Sequence, residues 1–135
     1  MKLTSAFVIL FALTLFSGCA MQERSEFNSY KKDMDSRVNS GYIKKSAYYE
    51  GLYSKTNNRG SFSNKSDLLT YYSTMIDASY DLEEGKITQR GFNIIKRQAD
   101  AFKAASDAAE AQRQNQNLYN IGKQMELMGT PMMYR

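Results

Sequence analysis

The sequence contains no histidine and no tryptophan, one cysteine and one proline in 135 residues. Without histidine the chain lacks the commonest general base and the commonest transition-metal ligand. No Ser-His-Asp triad, Cys-His pair or histidine zinc site can be assembled from it. A single cysteine, Cys19, excludes an internal disulfide, so the fold must hold by packing alone. Pro131 lies close to the C-terminal end, so no proline interrupts helix formation before it. The charge balance is weak as well: 18 Lys and Arg against 14 Asp and Glu leave +4. That excess is too small to imply a nucleic-acid partner, and it allows only mild attraction to anionic headgroups or cell-wall polymers.

What is present begins at the N-terminus. Met1-Lys2 is a short positive start, and Leu3 to Phe16 is an apolar run broken only by Thr4, Ser5 and Thr14. Ser17-Gly18-Cys19 follows at once. A charged start, an apolar stretch and small residues form the layout of a secretory signal. The run is short for a spanning helix, which needs about 20 apolar residues. The junction resembles the lipobox of bacterial lipoproteins, with Phe16 standing where that family most often has leucine. The resemblance covers only these first residues. It implies diacylglyceryl transfer to Cys19, cleavage between Gly18 and Cys19, and acylation of the new amino terminus with a chain such as palmitate. Ala20 stands after the cysteine in place of the aspartate that retains such proteins at the inner membrane. The implied address is therefore the periplasmic face of the outer membrane in a Gram-negative cell.

These readings divide the chain into a signal peptide (1–18), a lipid-anchored tether (19–26), a helical domain (27–128) and a C-terminal tail (129–135). The domain is read as mainly α, a small antiparallel bundle of about three helices. Phe27, Tyr30, Met34 and Val38 recur at steps of three and four and define one helical face. The pattern weakens at Ser40-Gly41 and resumes with Ile43, Ala47, Tyr49, Leu52 and Tyr53. One kinked helix and two helices both fit, and the aromatic and β-branched residues between Tyr42 and Tyr53 leave a strand open.

The Asn-, Ser- and Gly-rich stretch Thr56 to Ser66 predicts a loop and the clearest break in the chain, with Ser66 capping the next helix. That helix is expected over 67–84, with Leu68, Tyr72, Met75, Ser79 and Leu82 as its stripe, widened by Leu69, Ile76 and Ala78. Gly85 then ends it in a left-handed conformation and Thr88 caps its successor, which makes an antiparallel hairpin. The last helix runs from Gln89 to at least Gln116 on a seam of Phe92, Ile95, Ala99, Phe102, Ser106 and Ala109. No sequence repeat long enough to indicate a solenoid is visible.

The acidic turn Asp81 to Thr88 superficially resembles a calcium loop. Placing Gly85 at the loop glycine puts Tyr80 and Leu82 where carboxylates belong and Gly91 where the closing glutamate belongs, so the match fails. No metal and no cofactor is expected. Basic residues at Lys31-Lys32, Lys44-Lys45 and between Lys86 and Lys103 are mixed with acids, as on a solvated face.

Two groups remain as a candidate partner surface. Tyr48, Tyr49, Tyr71 and Tyr72 offer flat apolar faces with polar tips, and one of each adjacent pair should be partly exposed. The same tyrosines also suit the edge of a core. Met125, Met128, Met132 and Met133 supply adaptable thioethers, either open to a partner or folded back on the domain. The expected role is that of a non-enzymatic binding or accessory protein of the envelope, held to the membrane by lipid on Cys19 and meeting an envelope protein. An exclusion or immunity lipoprotein of a mobile element, or a homo-oligomeric structural component, remains open beside it.

Overall fold

A computed structural model describes residues 22–127, and every regular element among them is helical. Residues 1–21, with the stretch read as a signal peptide and Cys19, and Met128 to Arg135 lie outside the described residues. Helix α1 covers residues 22–39, α2 Lys45–Asn57, α3 Lys65–Glu83 and α4 Gln89–Leu127. The mainly α expectation holds, with four helices among the described residues in place of about three. Helix α1 already includes residues 22–26, part of the stretch read as a tether.

The fourth helix comes from the turn at Gly41. Its φ of 74° is left-handed, where a continuous α-helix cannot pass. The Gly41 N–H donates to the Val38 carbonyl (3.1 Å), and those of Tyr42 and Ile43 donate to that of Arg37 (2.9 and 3.3 Å). This is a Schellman ending, which satisfies the orphan carbonyls of α1. The same bonds recur one hairpin later. Gly85, at φ 73°, donates to Leu82 (3.1 Å), and Lys86 and Ile87 donate to Asp81 (2.8 and 3.1 Å). There the next helix is capped as expected, by Thr88 Oγ1 accepting from the Gly91 N–H at 3.2 Å. The segment after Tyr42 is helix α2, not a strand.

The chain divides into two compact units between Gly60 and Ser61, inside the predicted loop. The first contains α1 and α2 running antiparallel. Tyr48 Oη donates to Asp35 Oδ1 at 2.6 Å, the Arg59 guanidinium lies 4.9 Å from the Phe27 ring centre, and Lys55 Nζ lies 5.8 Å from that of Tyr30. Phe27 and Met34 are buried and Tyr30 and Val38 half-buried, as their spacing requires. Helix α2 buries Ser46, Tyr49, Leu52 and Thr56, while Ala47 is exposed. Gly51 lets the helices approach: a Cβ there would fall 2.6 Å from both Met34 Cε and Tyr30 Oη.

The second unit contains the antiparallel pair α3 and α4. Asn64 Nδ2 donates to Asp107 Oδ1 (2.9 Å), Ser106 Oγ to Asp67 Oδ2 (2.6 Å) and Tyr71 Oη to Asp100 Oδ1 (3.0 Å). Helix α3 begins two residues ahead of expectation. Asn64 occupies the cap position without a side-chain cap bond, its amide being engaged with Asp107. Ser66 is therefore inside the first turn, where its carbonyl accepts from Thr70 Oγ1 at 3.0 Å. Tyr71, Tyr72, Met75, Ala78, Ser79, Phe92 and Ala99 are buried in this unit. Ser79 Oγ, fully buried, donates to the Met75 carbonyl at 2.7 Å, which removes the cost of burying a lone hydroxyl.

The heptad seam read on α4 is only partly occupied. Phe92 and Ala99 are buried and Ser106 half-buried, whereas Phe102 is 45% exposed and Ala109 is exposed. Packing on a single α3 uses the Phe92–Ala99–Ser106 edge, while the other edge is half-buried at Ile95 and open to solvent at Phe102 and Ala109.

Candidate functional site

The candidate tyrosines are arranged by two hydrogen-bond networks of the same composition. In the first unit Asp35 accepts from Tyr48 and from Lys31 Nζ at 2.7 Å. Partial burial pushes the Asp35 carboxyl up. The bonds from Lys31 and Tyr48 and the Lys31 charge outweigh that effect, so its pKa lies below the ordinary value of 3.8. In the second unit Asp100 accepts from Tyr71 and from Lys96 Nζ at 2.6 Å. Each network joins a lysine and an aspartate one helical turn apart on one helix to a tyrosine of its antiparallel neighbour. Both tyrosines stack edge-on with the next residue, Tyr48 with Tyr49 at 4.8 Å and Tyr71 with Tyr72 at 5.3 Å.

These contacts correct the reading of an open tyrosine surface. Tyr49, Tyr71 and Tyr72 are 7%, 9% and 4% exposed. Tyr71 and Tyr72 are both buried, against the expectation that one would be open. Neighbours on a helix diverge by about 100°, yet a wide packed sector holds both when the outer hydroxyl finds a partner. Asp100 is that partner for Tyr71. Tyr48 is half-buried and its hydroxyl is engaged by Asp35. The tyrosines therefore tie helices together within their units.

The acidic turn is likewise internal. Lys86 Nζ lies 2.6 Å from Glu84 and 3.6 Å from Asp81, and the surrounding backbone forms the helix ending described above. Among the described residues no cluster of three or more acidic side chains is placed to hold a metal ion, and no helix is long and apolar enough to cross a membrane.

Of the methionine group, Met125 lies in α4 and is 44% exposed, while Met128, Met132 and Met133 lie outside the described residues, as do Gly18 and Cys19. Met125 does not stand alone. Helix α4 is 39 residues long, against 19 for α3. The bonds donated by Asn64 to Asp107 and by Ser106 to Asp67 place the start of α3 beside the middle of α4. From Ala111 to Ile121 every residue of α4 is exposed, including Leu118 (67%), Tyr119 and Ile121. Up to Leu127 the chain remains helical and does not fold back on itself. In this stretch the sequence pattern singles out only the methionines. The decisive signal was the offset in helix length, which periodicity does not disclose.

Comparison with models of known protein families, with curated proteins and with solved structures finds no match for this chain.

Proposed function

We propose that the protein is a lipid-anchored lipoprotein of the bacterial envelope, cleaved between Gly18 and Cys19 and acylated on Cys19. One observation carries this reading: the sole cysteine falls directly after an apolar run closed by Ser17-Gly18. Ala20 favours the outer membrane, facing the periplasm. In this reading lipid supplies location, and the helical units act as a non-enzymatic binding or accessory module. The exposed apolar residues near the end of α4, Leu118, Tyr119, Ile121, Met125 and Leu127, support a role in contact rather than turnover.

The test is metabolic labelling with an alkyne-bearing palmitate analogue. The chain is expected to incorporate the label and to fractionate with membranes, while the Cys19→Ser variant loses the label and accumulates as a larger precursor. Equal labelling of that variant, or a native chain released in soluble form, refutes lipidation. Turnover of an envelope substrate by the purified chain, abolished by a single acidic or serine substitution, refutes the non-enzymatic part.

A further inference from the structure

The exposed end of α4 has a pattern that fits one kind of partner. Leu118, Ile121 and Met125 are spaced by three and four residues, so they form one stripe along the helix. Tyr119 and Lys123, also four apart and joined by an ammonium–ring contact of 5.5 Å, occupy the opposite side. Between Gln114 and Met125, Lys123 is the only charged residue. The stripe is bordered by Asn117 and Gln124 on one flank and Gly122 on the other. Amide side chains carry both a donor and an acceptor, so a surface bordered by them is complementary to itself. A strongly acidic or basic partner, or an anionic lipid surface, would call for charge that this stripe does not have.

We propose that this stripe is a self-association surface on which α4 of a second copy packs antiparallel. A two-fold axis between Ile121 and Gly122 sets Leu118 against Met125 of the second copy and Ile121 beside its Gly122. Asn117 and Gln124 of the second copy then lie on the same flank, about 3 Å apart along the helix axes. The contact is isologous, and no two like charges meet across it. It also gives Gly122 a purpose. Glycine inside a helix is destabilising relative to alanine, and here it admits the close approach of an opposing helix. Three apolar side chains per copy fall well short of the roughly 800 Å² per partner of a standard stable interface, so the pairing is weak and exchanges readily.

The experiment uses the full chain in detergent at about 0.1 mM, where weak contacts are populated. A photo-reactive residue replaces Leu118 in one sample and Lys123 in another, and isotopically heavy chain is mixed with light chain. The expected result is a heavy–light dimer from position 118, with the crosslink mapped around Met125, and at least about tenfold less from position 123. Ile121→Asp should remove the dimer while circular dichroism stays unchanged, because Ile121 is exposed and supports neither unit's packing. Lys123→Asp should leave the dimer intact. A crosslink from 118 onto 118, equal yields from 118 and 123, no dimer, or a dimer insensitive to Ile121→Asp each overturns the proposal. Because the readout does not involve Cys19, it succeeds or fails independently of lipidation.

Discussion

The Tyr71 hydroxyl donates to Asp100 Oδ1 at 3.0 Å, binding α3 to α4 through a carboxylate that also holds Lys96. Tyr48, Asp35 and Lys31 form the same trio with the helix order reversed: the first unit carries its tyrosine on the later helix and the second on the earlier one. A tyrosine that buries its ring and spends its hydroxyl on a fixed carboxylate contributes apolar area and orientation together.

Tyr71→Phe should therefore lower stability while preserving the ring packing. Losing a hydrogen bond to a charged acceptor costs about 1.5–3 kcal/mol, and the Lys96 contact that remains to Asp100 places the expected loss near about 1.5 kcal/mol. Urea unfolding of wild type and variant measures it. An unchanged midpoint would show that water replaces the hydroxyl at no cost.

The two glycine turns yield a matched pair of predictions. At Gly41 and Gly85 an added Cβ meets no atom within 4 Å, so the whole penalty of Gly→Ala is conformational. A left-handed non-glycine residue costs about 1–2 kcal/mol. Gly41→Ala and Gly85→Ala should thus destabilise by similar amounts, and asparagine should be milder at both positions. Thermal melts of the four variants check this, and unequal alanine penalties would mean that the two turns are not energetically equivalent.

The second turn was legible in the sequence, and the first only as a break that left one kinked helix or two helices open, although their backbones coincide. Gly85 follows Leu82-Glu83-Glu84 and precedes a threonine cap, so start and stop signals lie side by side. Gly41 is followed by Tyr42-Ile43-Lys44, and Lys44 gives no side-chain cap to α2. The backbone repeat escaped sequence reading for the same reason: a Schellman turn constrains its glycine and little else around it. The apolar positions of α1 and α3 followed from their spacing, since Phe27, Met34, Tyr72, Met75 and Ser79 are buried. Which tyrosines are exposed did not follow, because Tyr71 is buried through Asp100, 29 residues away, and local pattern carries no information about that contact. The overhang of α4 was hidden likewise, since it depends on the register between two helices.

Gly51 is a test of close packing in the first unit. The groups that a Cβ would meet, Met34 Cε and Tyr30 Oη, are the far ends of flexible side chains, so alanine can be accommodated by small shifts. Its better helix propensity returns about 0.5–1 kcal/mol, leaving Gly51→Ala only slightly destabilising. Leucine has no such escape and should cost about 2–3 kcal/mol, within the range of overpacked sites. Denaturant midpoints for both variants decide the point, and a tolerated leucine would show that α1 and α2 separate freely.

The depressed pKa of Asp35 makes a signed prediction about acid. A carboxyl that ionises more readily when folded than its ordinary value of 3.8 adds stability above that value. The contribution is lost as pH falls through the lower folded value, when the proton displaces the interactions with Lys31 and Tyr48. Asp35→Asn should therefore be less stable than wild type at neutral pH, and the difference should shrink steadily below about pH 4. Because Asp35 is partly solvated, screening limits the effect, and it should weaken further in high salt. Unfolding midpoints of both proteins across this range provide the check. A gap that stays constant down to the lowest pH would assign the loss to altered packing around Tyr48 and not to the charge on Asp35.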